Sequence, residues 1–209
     1  FLPGDTILLK SGSVWNGEWL WPKGSGTADA PIKIDKYGGD ALPVINGMGI
    51  DRGMNYSGAV HLRNQEYWEI RNLEVTNDDD FDVDIDLSRP QGDNSWSSQA
   101  ETRNGILIIA DGDLLNDDDD GIFDHIYIEN CYVHDVDGPN DWNDTFTGGI
   151  IYNVVGTKIR PNTSFRDIRI AYNTIRKVDL LGITGFVQMA KSGYQDDVDT
   201  YNLWMEDIY

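Results

Sequence analysis

The chain carries one cysteine, three histidines and 16 lysines and arginines in 209 residues. A lone Cys131 excludes an internal disulfide and any multi-cysteine metal site. No pair of histidines has the spacing of a zinc site, so His61, His125 and His134 read as structural or surface residues. No apolar stretch reaches the roughly 18–20 residues that a membrane span needs. No Gly-rich phosphate loop follows a strand, and local context suggests no Ser-His-Asp or Cys-His arrangement. Glutamate is scarce as well, with 7 against 29 aspartates. The chain opens at Phe1-Leu2-Pro3-Gly4 without a signal peptide and stops at Asp207-Ile208-Tyr209 in mid-pattern. It reads as a fragment or a processed chain, so the missing targeting segment excludes little.

What is present is acid. Thirty-six Asp and Glu against 16 basic side chains leave a net charge of −20. Such a surface excludes nucleic acid and anionic membranes as partners, because bringing it near phosphates costs Coulomb energy. Asp competes for backbone hydrogen bonds and gathers in turns and loops, so its excess, with 22 glycines, argues against an all-helical fold. Hydrophobic residues make up 40% of the chain, with seven Trp and ten Tyr, which is enough for a real core in one domain or a large piece of one.

Three segments align without gaps: Trp68–Val75, Ile126–Val133 and Ile168–Ile175. Each is a short alternating strand, a bend and a second short strand, with Asn72 and Asn130 at the bend and Asn173 one place later. A fourth copy is read as starting at Leu203-Trp-Met205. Some 20 residues before these segments start a second signal recurs, as Gly105-Ile-Leu-Ile, Gly149-Ile-Ile-Tyr and Gly182-Ile-Thr, with Gly58-Ala-Val-His-Leu62 as its first copy. Short strands in a fixed order cannot each bury a face alone, and stacking successive turns of chain solves that. The pattern predicts an all-β solenoid of parallel strands. Asn amides on successive turns, about 4.8 Å apart, are then expected to bond in a ladder. A β-sandwich of hairpins is the alternative, but it does not explain why one three-strand phrase recurs in one order.

These repeats resemble the right-handed parallel β-helix proteins of the pectate-lyase-like superfamily. So does the opening stretch: Pro3-Gly-Asp-Thr-Ile-Leu-Leu-Lys10, Gly24-Ser-Gly-Thr27, Ala30-Pro-Ile-Lys-Ile34 and Pro43-Val-Ile-Asn-Gly47. The resemblance implies one domain over 1–209: first coils and an N-terminal cap at 1–57, then regular coils at 58–209 with Asp-rich insertions at 76–104 and 110–125. It further implies a secreted or cell-surface bacterial protein acting on carbohydrate. Substrate is then expected along the sheet of Gly-Ile strands, between the loops 76–104, 134–148 and 177–181 on one side and 110–125, 152–166 and 186–202 on the other. Fold alone does not fix the reaction.

The Asp clusters fall almost entirely in those loops. Asp79, Asp137 and Asp179 occupy equivalent repeat positions and are expected to stack as a column. Like charges so close push at least one pKa upward, preparing a general acid beside an ionised partner. Glycoside hydrolysis commonly needs such a pair, about 5 Å apart for retention or about 6.5–9.5 Å for inversion. The catalytic candidates are Asp137, Asp144, Asp135, Asp111 and Asp113. Trp142, His134, Arg103 and Asp179 are expected to bind substrate, with Trp142 as a stacking platform. Calcium, which prefers several loop oxygens, competes for acids, with Asp82, Asp84, Asp86, Asp118 and Asp120 as candidate ligands. A calcium-dependent polysaccharide lyase using Arg103, Arg176, Lys177 or Lys191 is the alternative enzyme. A non-catalytic glycan-binding scaffold is the alternative outside enzymes. Expected partners are a carbohydrate and further coils of this or another chain.

Overall fold

A computed structural model describes residues 1–50, 56–78, 102–138, 147–156 and 163–189, and the backbone of 203–208. Alternating β-branched and aromatic residues fit a pleated, half-buried surface, and the described chain is almost entirely strand. Its one helical piece is a 3-10 turn at Gly112–Leu114.

The strands form three parallel sheets. A six-stranded sheet holds β1 (Thr6–Lys10), β3 (Ile32–Tyr37), β6 (Trp68–Arg71), β9 (Ile122–Glu129), β12 (Thr163–Ala171) and β15 (Leu203–Ile208). A five-stranded sheet holds β2 (Val14–Asn16), β4 (Val44–Asn46), β7 (Glu74–Asn77), β10 (Tyr132–Val136) and β13 (Thr174–Val178). A four-stranded sheet holds β5 (Tyr56–Arg63), β8 (Thr102–Asp111), β11 (Gly148–Gly156) and β14 (Leu181–Met189). From β3 onward the chain visits the six-, five- and four-stranded sheets in strict rotation. Leu20, bridged in parallel to Val60, continues the four-stranded sheet beyond β5.

Core residues stack rung on rung. Ile34, Ile70 and Ile128 form one column and Ile32, Trp68 and Ile126 another, all closed to solvent. Val60, Ile106 and Ile150 do the same in the four-stranded sheet. Burying each such side chain contributes about 1.5–3 kcal/mol before entropy is counted. The ungapped alignment is the register itself: Ile126 pairs with Trp68 and Ile168, and Val133 with Val75 and Ile175.

Bends need left-handed backbone, and the same positions supply it on neighbouring strands. Asn72, Asn130 and Tyr172 have φ of 56°, 56° and 60°. Asn tolerates this conformation because its short amide bonds locally. The expected amide ladder does not form at this bend. Asn72 Nδ2 donates to Asp35 Oδ1 at 2.7 Å, and Asn173 serves the Cys131 N–H and the Ile128 carbonyl, each at 2.8 Å. An amide-to-amide bond occurs instead at Asn46 and Asn16, 3.0 Å apart. Cys131 packs beside the bend, and burial pushes its thiol up to about 12.

Two registers differ from the sequence alignment. Leu203 pairs with Thr163, and Ile208 with Ile168, so the last copy lies five residues out of the expected phase. Gly58 pairs with Asn104, placing Ala59 in the glycine column. Gly105 and Gly149 have a steric reason to be glycine. A Cβ on Gly105 would lie 2.3 Å from Val133 Cγ1, and one on Gly149 2.7 Å from Ile175 Cγ2. The strands also reach further than expected. β8 ends at Asp111 and β9 starts at Ile122, β11 ends at Gly156, and only Asp179 and Leu180 separate β13 from β14.

The outer faces differ in chemistry. On the six-stranded sheet opposite charges pair both within β6 and between neighbouring strands. Glu69 meets Lys33 at 3.6 Å and Arg71 at 3.3 Å, and Glu129 meets Arg71 and Arg169 at 3.0 Å each. The four-stranded sheet instead carries a second apolar cluster, Leu107, Ile109, Ile151 and Val155, opposite the core-facing Ile106, Ile108, Ile150 and Val154.

Candidate active site

Three aspartates follow one another where β7, β10 and β13 end. The Asp137 N–H donates to the Asn77 carbonyl at 3.2 Å, and the Asp179 N–H to the Val136 carbonyl at 2.9 Å. Asp78, Asp137 and Asp179 therefore stand on successive rungs, about 4.8 Å apart along the stack. Counting without gaps places Asp79 there, but β10 carries one residue more than β7 between Val133 and Val136. Asp135 (φ 46°) takes up that residue, and Lys177 (φ 49°) repeats the bend in β13.

Arg103, expected to bind substrate, is buried and donates from Nη1 to the Asp137 carbonyl at 3.4 Å. Asp179 Oδ2 accepts the Gly138 N–H at 3.4 Å. Arg103, Asp137 and Asp179 thus come together at the corner between the five- and four-stranded sheets. His134 and Asp135 sit just before it, on the outer face of β10. The His134 ring stacks on Tyr132 at 4.0 Å, its Nδ1 meets Asp135 Oδ2, and its Nε2 meets Glu74 Oε1 at 3.1 Å. Lys177 Nζ lies 3.4 Å from Asp135 Oδ1. The His134 hydrogen bond holds the Asp135 carboxyl below its ordinary value, with Lys177 adding to the effect. Asp135 is an engaged anion, ill suited to donate a proton.

Asp111 and Asp113 are not brought to this corner. Asp111 ends β8, eight residues beyond Arg103, which at the strand rise is about 26 Å away. That exceeds the reach of a carboxylate pair with Asp137. Asp111 forms an ion pair with Arg63, and its Oδ1 caps the 3-10 turn by accepting the Asp113 N–H at 2.9 Å. Asp118 and Asp120 lie in an exposed turn. There Asp120 Oδ1 accepts the Ile122 N–H at 3.2 Å, and the neighbouring Asp119 carboxylate accepts the Asn116 N–H at 2.7 Å. Among the described residues no three acidic, His or Cys side chains converge where a cation would fit. Asp144, Trp142, Asp82, Asp84, Asp86 and Lys191 lie outside the described residues.

The outer face of the four-stranded sheet is closed to solvent rather than open. Thr147 Oγ1, both amide atoms of Asn153 and both ring nitrogens of His61 are buried there, without a hydrogen-bond partner among the described residues. Trp21 stacks on His61 at 4.9 Å and 5°, and Lys23 Nζ lies over the indole ring 3.3 Å from its centroid. Burial, reinforced by Arg63 and Lys23, lowers the imidazole to about 3.

No protein-family model matches the chain. It is 29% identical over 239 aligned residues to a lacto-N-biosidase of Bifidobacterium longum subsp. longum, covering 93% of the chain and 14% of that protein. The crystal structure of the GH136 lacto-N-biosidase from Eubacterium ramulus superimposes on all of it with a TM-score of 0.71 at 24% identity. The chain resembles lacto-N-biosidases. It spans 36% of the E. ramulus chain, and at that identity the likeness shows a common fold.

Several residues of this lacto-N-biosidase-like frame escape a reading of the sequence. Glu69 and Asp167 flank His125, with oxygens 3.3 and 3.4 Å from its two nitrogens, and Tyr127 stacks on the ring at 3.9 Å. Glu66 accepts the Asp124 N–H at 3.3 Å, and burial raises its carboxyl. Asp124 in turn accepts the Arg166 Nε at 2.8 Å. Apart from the Tyr127 stack, these contacts join residues about 40–60 positions apart, and no local motif marks them.

Proposed function

We propose that the chain is part of a secreted or cell-surface glycoside hydrolase acting on an oligo- or polysaccharide, built as a right-handed parallel β-helix. Asp137 is one member of its carboxylate pair and Asp144 the other, seven residues on in the same inter-strand segment. The observation that carries this reading is the convergence of Asp137, Asp179 and Arg103 at the sheet corner. The likeness to two lacto-N-biosidases supports hydrolysis of oligosaccharide over elimination. So does the state of two of the four basic residues named for a lyase. Arg103 is buried against the Asp137 carbonyl, and Lys177 is paired with Asp135.

Calcium belongs to this proposal through Asp82, Asp84 and Asp86, which lie outside the described residues, and through Asp118 and Asp120 in their exposed turn. Further coils, of this or another chain, are proposed to stack on β14. Ile183 there is 48% exposed, whereas Ile150 in the same core column is at 0%.

The test is a glycan panel read by mass spectrometry, with and without chelator, for the protein and for Asp137→Asn. Simple hydrolysis products that vanish in the variant support the reading. Products carrying an unsaturated sugar, lost on chelation, would mean a lyase. Binding without cleavage would mean a scaffold.

A further inference from the structure

We infer that Asp179 and Arg103 are positioning residues that fix the direction of Asp137, an inference that rests on Asp137 being one of the catalytic pair. The Asp137 carbonyl and the Gly138 N–H belong to one peptide group. Arg103 Nη1 donates to its oxygen at 3.4 Å, and Asp179 Oδ2 accepts from its nitrogen at 3.4 Å. Both ends of that peptide group are therefore engaged, its oxygen by the Arg103 guanidinium and its nitrogen by an acceptor oxygen of Asp179. With both ends gripped, rotation about the Asp137 Cα–C bond is resisted from two sides.

The preceding peptide is held too, because the Asp137 N–H donates to the Asn77 carbonyl at 3.2 Å. Three strands thus share the task. Asn77 ends β7, Arg103 lies in β8, and Asp179 follows β13. Gly138 completes the lock by fit, since a Cβ there would lie 2.8 Å from Thr147 Oγ1 and 3.1 Å from Arg103 Cβ. Once both flanking peptide planes are set, the Asp137 carboxyl keeps only its two side-chain rotations. A displacement of about 1 Å at such a group costs about 10²-fold in rate, so the grip on its backbone has a catalytic consequence.

The role assigned to Asp179 is acceptance of one N–H, and an amide oxygen does that as well as a carboxylate. Kinetics on a cleaved glycan would compare Asp179→Asn, Asp179→Ala, Arg103→Met and Asp137→Asn. Asp179→Ala and Arg103→Met are expected to lose about 10–100-fold in kcat with KM little changed, while Asp179→Asn stays within about threefold of the parent. Thermal unfolding of each variant accompanies the kinetics, and Asp179→Asn guards against a fold that fails on losing the buried arginine. Equal losses in Asp179→Asn and Asp179→Ala would overturn the inference, because charge and not acceptance would then matter. Unchanged kcat in Asp179→Ala would overturn it as well. Undiminished hydrolysis by Asp137→Asn, or none by the parent protein, would instead remove the catalytic reading on which it stands.

Discussion

At the scale of single residues, the sharpest forecast concerns His61. Its ring nitrogens have no hydrogen-bond partner among the described residues, and burial together with two nearby cations lowers it from 6.5 to about 3. Below pH 6.5 the unfolded chain binds a proton that the native state refuses. This contribution to stability is therefore complete above 6.5 and is lost as pH falls toward 3, at up to about 1.4 kcal/mol per unit. Denaturant titrations at pH 6.5 and 4.5 should show the parent losing about 2–3 kcal/mol more than His61→Leu over that interval. Equal losses would mean that His61 is protonated without penalty. Asp135 contributes with the same sign at lower pH, because its depressed carboxyl stabilises the fold above its ordinary value and ceases to as it protonates.

At the scale of elements, two devices hold strands together, and each has its own expected cost. Gly105 in β8 and Gly149 in β11 are glycine for reasons of space. Gly105→Ala sets a methyl 2.3 Å from Val133 Cγ1 and 2.7 Å from the Gly149 carbonyl. The carbonyl is backbone and yields little, so the substitution should cost about 1–3 kcal/mol of unfolding free energy. The charged rows of the six-stranded sheet are electrostatic. Glu129 bridges Arg71 and Arg169, and both arginines are about one-third or more exposed. Glu129→Gln should therefore cost only about 1 kcal/mol, and less in high salt, when followed by denaturation at two ionic strengths. A loss beyond 3 kcal/mol would show that the row behaves as a buried network.

At the scale of the whole molecule, position along the stack should set the price of one and the same substitution. Ile150 and Ile183 share a core column, yet Ile150 is at 0% exposure and Ile183 at 48%. Ile150→Ala should cost about 3–5 kcal/mol, and Ile183→Ala under about 1 kcal/mol in this chain. Similar costs would mean that Ile183 is already covered by further coils. The repeats made this architecture legible in the sequence. Strict alternation and an ungapped three-copy alignment determined that the strands are parallel and which side chains face one another, because one rung's spacing forces like residues into columns. The site was only half legible. Asp137, Asp179 and Arg103 were visible as residue types at loop edges, but a one-residue bulge at Asp135 decided that Asp78 joins their column. The length of β8 decided that Asp111 stands apart from them. Burial decided that Arg103 grips a backbone peptide. Register and burial depend on contacts between residues tens of positions apart, and such contacts exist only once the sheets have stacked.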